Sequence, residues 1–214
     1  ADVTLSQQSR AESEYRESVS IMRDAARRLT RIVDDLFLLG RTDSGNFALR
    51  AERIYLEEIV HDTVRGVRSV ADQRGVRVEL EQVVDAEVIG DADLLGRLAL
   101  NLLDNAIKHS PENGRVEVAM ALVAGGAEVT VIDHGPGIPP DARERVFERF
   151  FRLDPARSRA ESSGTSGAGL GLAIARRIAE MHGGALDLVE SRPGRTVFRF
   201  RLPNADAART PAAV

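Results

Sequence analysis

Two asparagines one helical turn apart, Asn101 and Asn105, with Lys108 a further turn along, are the strongest chemical signal in this sequence. On a helix, steps of four and three put all three side chains on one face. Carboxamides offer oxygen acceptors and nitrogen donors without net charge, and an ammonium adds a compact positive point. Such a ridge suits a hydrated Mg2+ that arrives carrying phosphates better than it suits a bare metal cage. Lys108 is the only lysine among 29 basic residues, so its head group stands out from a surface otherwise charged by arginine. The plainer alternative is a solvated helix face with a chance lysine.

A second stretch, Asp133-His134-Gly135-Pro136-Gly137-Ile138, follows a run that alternates as a strand. A carboxylate at a strand end followed by two glycines lets backbone approach a flat ligand while the acid accepts a hydrogen bond. An ionised acceptor there is worth about 1.5–3 kcal/mol, enough to prefer an amino-bearing base over a keto one. The alternative is an ordinary turn. A third stretch, Gly164 to Leu172, opens a helix and offers free backbone N–H groups to an anion. No Lys-Ser/Thr follows its glycines, and no strand leads straight into them, so it is neither a Walker loop nor a dinucleotide fingerprint. Between these stretches lies Phe147-Glu148-Arg149-Phe150-Phe151-Arg152, then a polar, glycine-containing segment from Asp154 to Gly167 that reads as a mobile lid. Arg152 can reach a phosphate bidentately, and the phenylalanines read as lid anchors.

The elements that must position these groups are legible from periodicity. Asp91 is a candidate N-cap, and Leu95, Leu98, Leu102 and Ala106 mark the core face of the helix carrying the two asparagines. Upstream, Tyr15, Val19, Met22, Ala26, Leu29, Val33 and Leu36 form a heptad seam, widened by Ile32, Phe37 and Leu39. That pattern predicts a bundle helix from Ala11 to about Asp43, with packing on its own domain as the alternative. Residues 1–10 read as the cut end of a longer element. Phe47 to Arg50 and Val88-Ile89 read as short strands, Leu56 to Arg74 as a helix and Val76 to Val83 as a strand. Arg115 to Leu122 pairs with Glu128 to Asp133, and Leu170 to His182 is a helix closed by glycines. A hairpin from Ala185 to Leu202 follows, then an Ala-rich tail from Asn204 expected to be disordered. The implied class is α+β, an α/β sandwich with one mixed sheet and helices on one face, preceded by a long bundle-forming helix.

Composition narrows the function. The net charge of −4 argues against a general nucleic-acid binder, and the absence of cysteine excludes disulfides, zinc-thiolate sites and thiol catalysis. No apolar run approaches the length of a membrane span, so an anchor would lie in segments outside this chain.

Taken together, four stretches agree in order and spacing with the catalytic ATP-binding domain of sensor histidine kinases. Asn101 to Ser110 resembles the N box, Asp133 to Ile138 the first glycine box, Phe147 to Arg152 the phenylalanine box, and Gly167 to Ala173 the second glycine box. The resemblance covers about residues 46–203, and residues 1–45 resemble the second helix of the family's dimerisation bundle, leaving 204–214 as a tail. It implies the fold of the histidine-kinase, gyrase and chaperone ATPases, with ATP and Mg2+ as cofactors. Asn105 would coordinate Mg2+ bridging the ATP phosphates, with Asn101 and Lys108 beside it and His109 near the nucleotide. Asp133 would accept from the exocyclic amine of adenine, in a pocket shaped by Gly135, Gly137 and Ile138. Phe151 and Arg152 would flank the lid, and Gly167, Gly169, Leu170 and Gly171 would lie along the phosphates. Asn101, Lys108 and Arg152 are the expected catalytic groups. Implied partners are a second copy through the helical segment and a response regulator receiver domain. The implied location is the cytoplasm, in a parent protein anchored at the inner membrane.

The chain departs from the family pattern twice. Arg195 stands before Thr196 where the family often has a second glycine, and the phosphoacceptor motif (a His, then an acid, an Arg and a Pro) is missing ahead of the helix at Ala11. His61-Asp62 lacks the proline and lies on the wrong side of the dimerisation helix, so it reads as a surface residue. The expectation is therefore ATP binding without self-phosphorylation. Two rivals differ in class: an ATP-hydrolysing or serine-kinase relative, and a docking module that no longer uses ATP. The first would place a Glu where Asn101 stands, to activate water or a hydroxyl.

Overall fold

The computed structural model describes residues 12–43, 47–153 and 168–205. Its elements are α1 (Glu12–Asp43), β1 (Glu52–Tyr55), α2 (Leu56–Gln73), β2 (Arg77–Gln82), β3 (Glu87–Gly90), α3 (Ala92–His109), β4 (Arg115–Val123) and β5 (Gly126–Asp133). Two short 3-10 turns follow, Pro140–Ala142 and Arg145–Phe147, then α4 (Gly171–Met181), β6 (Ala185–Arg192) and β7 (Arg195–Pro203).

Five strands form a mixed sheet in the order β2-β4-β5-β7-β6, in which only the β2–β4 pair is parallel. Alternate residues turn inward, as the period of two requires: Val116, Val118 and Met120 on β4, Val129 and Val131 on β5, Phe198 and Phe200 on β7. These share one core with Leu98 and Leu102 of α3, Val60 and Val64 of α2, and Ile174 and Ile178 of α4. The helices therefore cover one face, and β5, the strand that ends in Asp133, lies at the centre of the sheet.

The mixed sheet with helices on one face is as expected, and a smaller pair of strands is added to it. A separate two-stranded antiparallel sheet joins β1 to β3, with Arg53 opposite Ile89 and Tyr55 opposite Glu87. Phe47 to Arg50 is not a strand; Phe47 and Leu49 pack against the core from an irregular segment. The true strand hides because three of its four side chains are exposed, leaving Ile54 as its only inward group. Pairing with β3 and an ion pair from Arg53 to Glu87 at 2.5 Å hold it instead. The chain also stays attached past the last strand. Asn204 bridges to Val88, and Ala205 is buried and donates its N–H to the Glu87 carbonyl, so these two residues do not belong to the loose tail expected there.

Among the described residues, the C-terminal part of α1 joins the core, with Leu38 and Leu39 buried in it and Ile32 packed against it. Asp35 pairs with Arg97 of α3, and Arg177 of α4 donates to the Thr42 carbonyl at 2.7 Å. The heptad seam of α1 stays outside, with Val19, Leu29 and Val33 each more than half exposed.

One buried histidine fastens the helix that matters most. His182, 6% exposed, accepts the Asp91 N–H on Nε2 at 3.0 Å and meets the Ile178 carbonyl with Nδ1 at 2.7 Å. Those roles require the neutral ring with its proton on Nδ1. Asp91 in turn caps α3 by accepting from the Leu94 N–H. Burial holds the His182 pKa below the ordinary histidine value, against the pull of the Ile178 carbonyl and the Asp91 charge. A depressed folded value means that the unfolded chain takes up the proton first. The stability from neutral His182 is thus intact above about pH 6.5 and is lost as pH falls towards the folded value. Thermal melts across this range are expected to show the chain losing stability on acidification. A His182→Gln variant, less stable throughout, should lack that component; an identical pH slope would contradict the assignment.

Candidate active site

Along α3 the inward face is Leu94, Leu95, Leu98, Leu102, Leu103, Ala106 and Ile107, all buried. Asn101, Asn105 and Lys108 lie half-buried along another side of the same helix, the stripe expected of them. Opposite Asn101 stands the first residue of α4: a Cβ on Gly171 would lie 3.5 Å from the Asn101 Oδ1. That helix begins at Leu170 without a side-chain cap among the described residues, which leaves the N–H groups of its first turn without a capping acceptor there. The Asn101 Nδ2 is buried with no hydrogen-bond partner among the described residues. A buried amide left unpaired costs about 1–3 kcal/mol, so this nitrogen calls for a partner beyond the described residues.

At the end of β5 the Asp133 carboxyl is 2% exposed. It accepts the Gly135 N–H at 2.9 Å and the hydroxyl of Thr196, its register partner on β7. Desolvation raises its pKa above the ordinary carboxylate value; the Gly135 and Thr196 hydrogen bonds and the charge of His134 oppose that rise. Gly135 also packs against the His109 carbonyl, which joins the end of α3 to this loop. At Gly137 φ is +79, and a Cβ would come within 2.6 Å of the Arg192 backbone, so only glycine fits.

The phenylalanine stretch anchors the far side. Phe147 meets Phe198 edge-on with centroids 6.1 Å apart, and Arg176 of α4 covers its ring at 4.8 Å. Phe151 is covered by Arg145 at 4.4 Å, and Arg152 follows it, half-buried. Phe150 is 57% exposed with φ at +64, a conformation that side chains rarely adopt. Its N–H donates to the Gly169 carbonyl at 2.8 Å, so the chain is pinned on both sides of the intervening segment. Gly167 and the proposed lid from Asp154 lie outside the described residues.

Thr196, Ser191 and Arg143 are the site residues that sequence reasoning did not assign. For Thr196 a signal existed, since correct register of the final hairpin puts it opposite Asp133. Arg195, the departure from the family pattern, sits comfortably on the hairpin and pairs with Glu190 at 3.0 Å.

The donors present suit a nucleotide. A buried carboxylate at one end, an orphaned amide nitrogen beside an open helix N-terminus at the other, and carboxamide oxygens between them match a purine, a phosphate chain and a hydrated divalent cation in turn.

Comparison with known proteins agrees. The sequence pattern of the family described as histidine kinase-, DNA gyrase B-, and HSP90-like ATPase matches residues 90–206. The chain is 36% identical over 204 residues to the sensor protein IrlS of Burkholderia pseudomallei (strain K96243), covering 95% of this chain and 42% of that protein. It is 42% identical over 168 residues to the signal transduction histidine-protein kinase/phosphatase MprB of Mycolicibacterium smegmatis, covering 78% of this chain and 32% of MprB. The chain thus spans less than half the length of either relative. Full-length ShkA, solved in complex with AMPPNP, superimposes with a TM-score of 0.76 at 27% identity, over 96% of this chain and 41% of ShkA. Site and comparisons converge: the chain belongs to the histidine kinase-, DNA gyrase B- and HSP90-like ATPases, and within them it is the ATPase catalytic region of a sensor histidine kinase.

Proposed function

We propose that this chain binds Mg-ATP between α3, α4 and the Asp133 loop and directs its γ-phosphoryl group to a histidine on another segment. A ring nitrogen of that histidine forms the new P–N bond, the bond to the β-phosphate oxygen breaks, ADP leaves and the ring proton passes to solvent or a neighbouring base. Mg2+, when bound, neutralises charge on the phosphates. Asn105 is the residue assigned to hold it, while Asn101, Lys108 and Arg152 stabilise the charge that shifts towards ADP. Asp133, Gly135, Gly137 and Ile138 hold the adenine, with Phe151, Gly169, Leu170 and Gly171 along the rest of the nucleotide.

The Asn101 amide nitrogen, buried and without a partner among the described residues, beside the N-terminus of α4, is the observation that carries this reading. The same residue weighs against direct ATP hydrolysis or serine phosphorylation, because a carboxamide cannot take a proton from water or a hydroxyl at neutral pH. The exposed seam of α1 supports a homodimer through that helix, with a response regulator receiver domain as the next acceptor. No helix among the described residues is long and apolar enough to cross a membrane. A cytoplasmic site of action, in a parent anchored through other segments, fits that reading.

None of the chain's four histidines lies in a His-acid-x-Arg-x-Pro context. Incubation with radiolabelled Mg-ATP is therefore expected to give saturable binding but no phosphohistidine on the chain alone, and label on an added histidine-bearing dimerisation segment. Phosphohistidine on the isolated chain, or no nucleotide binding, would overturn the proposal.

A further inference from the structure

The loop that lines the adenine side of the site does not hold its own shape. Both backbone polar groups of Ile138 are taken by residues from elsewhere. Its N–H donates to the Ser191 Oγ at 2.7 Å, and its carbonyl accepts from the Arg143 Nε at 3.5 Å. Arg143 also donates from Nη2 to the Ser191 carbonyl at 2.5 Å, so one guanidinium spans the loop and the end of β6. Two further links run alongside: the Gly194 N–H donates to the Gly135 carbonyl at 2.8 Å, and the His134 Nδ1 meets the Gly194 carbonyl at 2.9 Å. His134 is itself held from the other side by Glu117 at 2.8 Å. The Gly135–Ile138 loop is thus clasped at both ends to the last residues of β6 and the β6–β7 turn. Ser191, 5% exposed, is the buried member of the clasp, and Arg143 is the accessible one.

We propose that Ser191 and Arg143 are positioning residues that set the base selectivity of this site, by fixing the Ile138 backbone relative to the Asp133 carboxylate. This rests on the nucleotide reading above and adds to it the pair that enforces the preference for adenine. The physics is a matter of tolerance. An ionised acceptor rejects a keto base only if the base cannot slide away from it; a loop free to shift by a fraction of an ångström lets guanine turn its keto oxygen aside. The loop has little stiffness of its own, because Gly135 and Gly137 leave its backbone free wherever the clasp does not hold it. Removing the clasp should therefore cost discrimination more than it costs affinity.

The test uses the full 214-residue chain and two probes, Mg-ATP and Mg-GTP, with dissociation constants measured by titration calorimetry. Wild type is expected to prefer ATP. Ser191→Ala removes the acceptor of the Ile138 N–H, and Arg143→Met removes both guanidinium bonds while keeping the stem. Each is expected to lower the ATP-over-GTP preference by about tenfold, mainly by strengthening GTP relative to ATP. Arg143→Lys, able to reach one carbonyl, should recover part of it. Should Ser191→Ala fail to fold, as thermal melting will show, the two surface variants at Arg143 carry the test. An unchanged preference in Arg143→Met, whether affinity for both nucleotides falls together or not at all, overturns the proposal while leaving the site's nucleotide reading in place. A wild type that binds neither nucleotide overturns both.

Discussion

Replacing Asp133 with Asn is expected to weaken ATP binding by roughly 10- to 150-fold, the worth of one charged hydrogen bond, while raising the melting temperature of the nucleotide-free chain. The two effects have one cause. The carboxylate is nearly sealed from solvent, so its charge is held at a cost that the Gly135 and Thr196 hydrogen bonds offset only in part. An asparagine keeps an oxygen for the Gly135 N–H and the Thr196 hydroxyl, carries no charge to desolvate, and turns a donor towards the purine amine. The pH dependence follows with a definite sign. The folded pKa lies above the unfolded one, so between the two the folded chain holds the proton more tightly. This residue's contribution to stability therefore falls as pH rises through that window, and at neutral pH the charge is a net cost. Affinity runs the other way: acidification through the raised pKa removes the acceptor, so wild type loses ATP binding where the Asn variant shows no further change. Calorimetric titration and melting curves at several pH values read both; a variant that binds ATP like wild type would sink the assignment of Asp133.

Asn105→Ala is the second large effect. Asn105 is half-buried on the polar stripe of α3, away from the leucines, so the substitution opens no cavity in the core. It should leave the melting temperature nearly unchanged and remove the Mg2+-dependent share of ATP affinity. Outer partners of a metal ligand are typically worth about 10- to 100-fold in metal affinity, and a direct ligand should be worth at least as much. ATP titrations in excess Mg2+ and in chelator give the increment directly. An undiminished Mg2+ enhancement in Asn105→Ala would move the metal to another residue.

The contrast between α3 and the adenine loop shows what a sequence can disclose. The helix was readable because cap, core face and polar stripe all lie within one continuous stretch, and a period of 3.6 sorts them unaided. At Gly137 the signal was equally local, since its φ of +79 is a conformation that glycine alone adopts freely. The clasp was not. Ser191 meets Ile138 across 53 residues of chain, and nothing in the neighbourhood of either announces the other. Thr196 lay between these cases, visible only once the hairpin register was known. The strand at Glu52–Tyr55 was missed because its hold on the fold is backbone pairing to β3, which leaves no hydrophobic trace. Phe47 and Leu49, which have such a trace, spend it on an irregular segment.

The anchoring of α1 fixes its helical phase. Leu38 and Leu39 are locked in the core, while Phe37 and Leu36, one and two positions before Leu38, remain outside. Turning the helix about its axis would draw both leucines into water, at about 1.5–3 kcal/mol each. The direction in which the seam of Val19, Leu29 and Val33 faces, seen from the asparagines of α3, is therefore set by two side chains at the other end of the rod. One residue inserted between them would swing the seam by about 100° and point it away from any companion helix arranged to meet it.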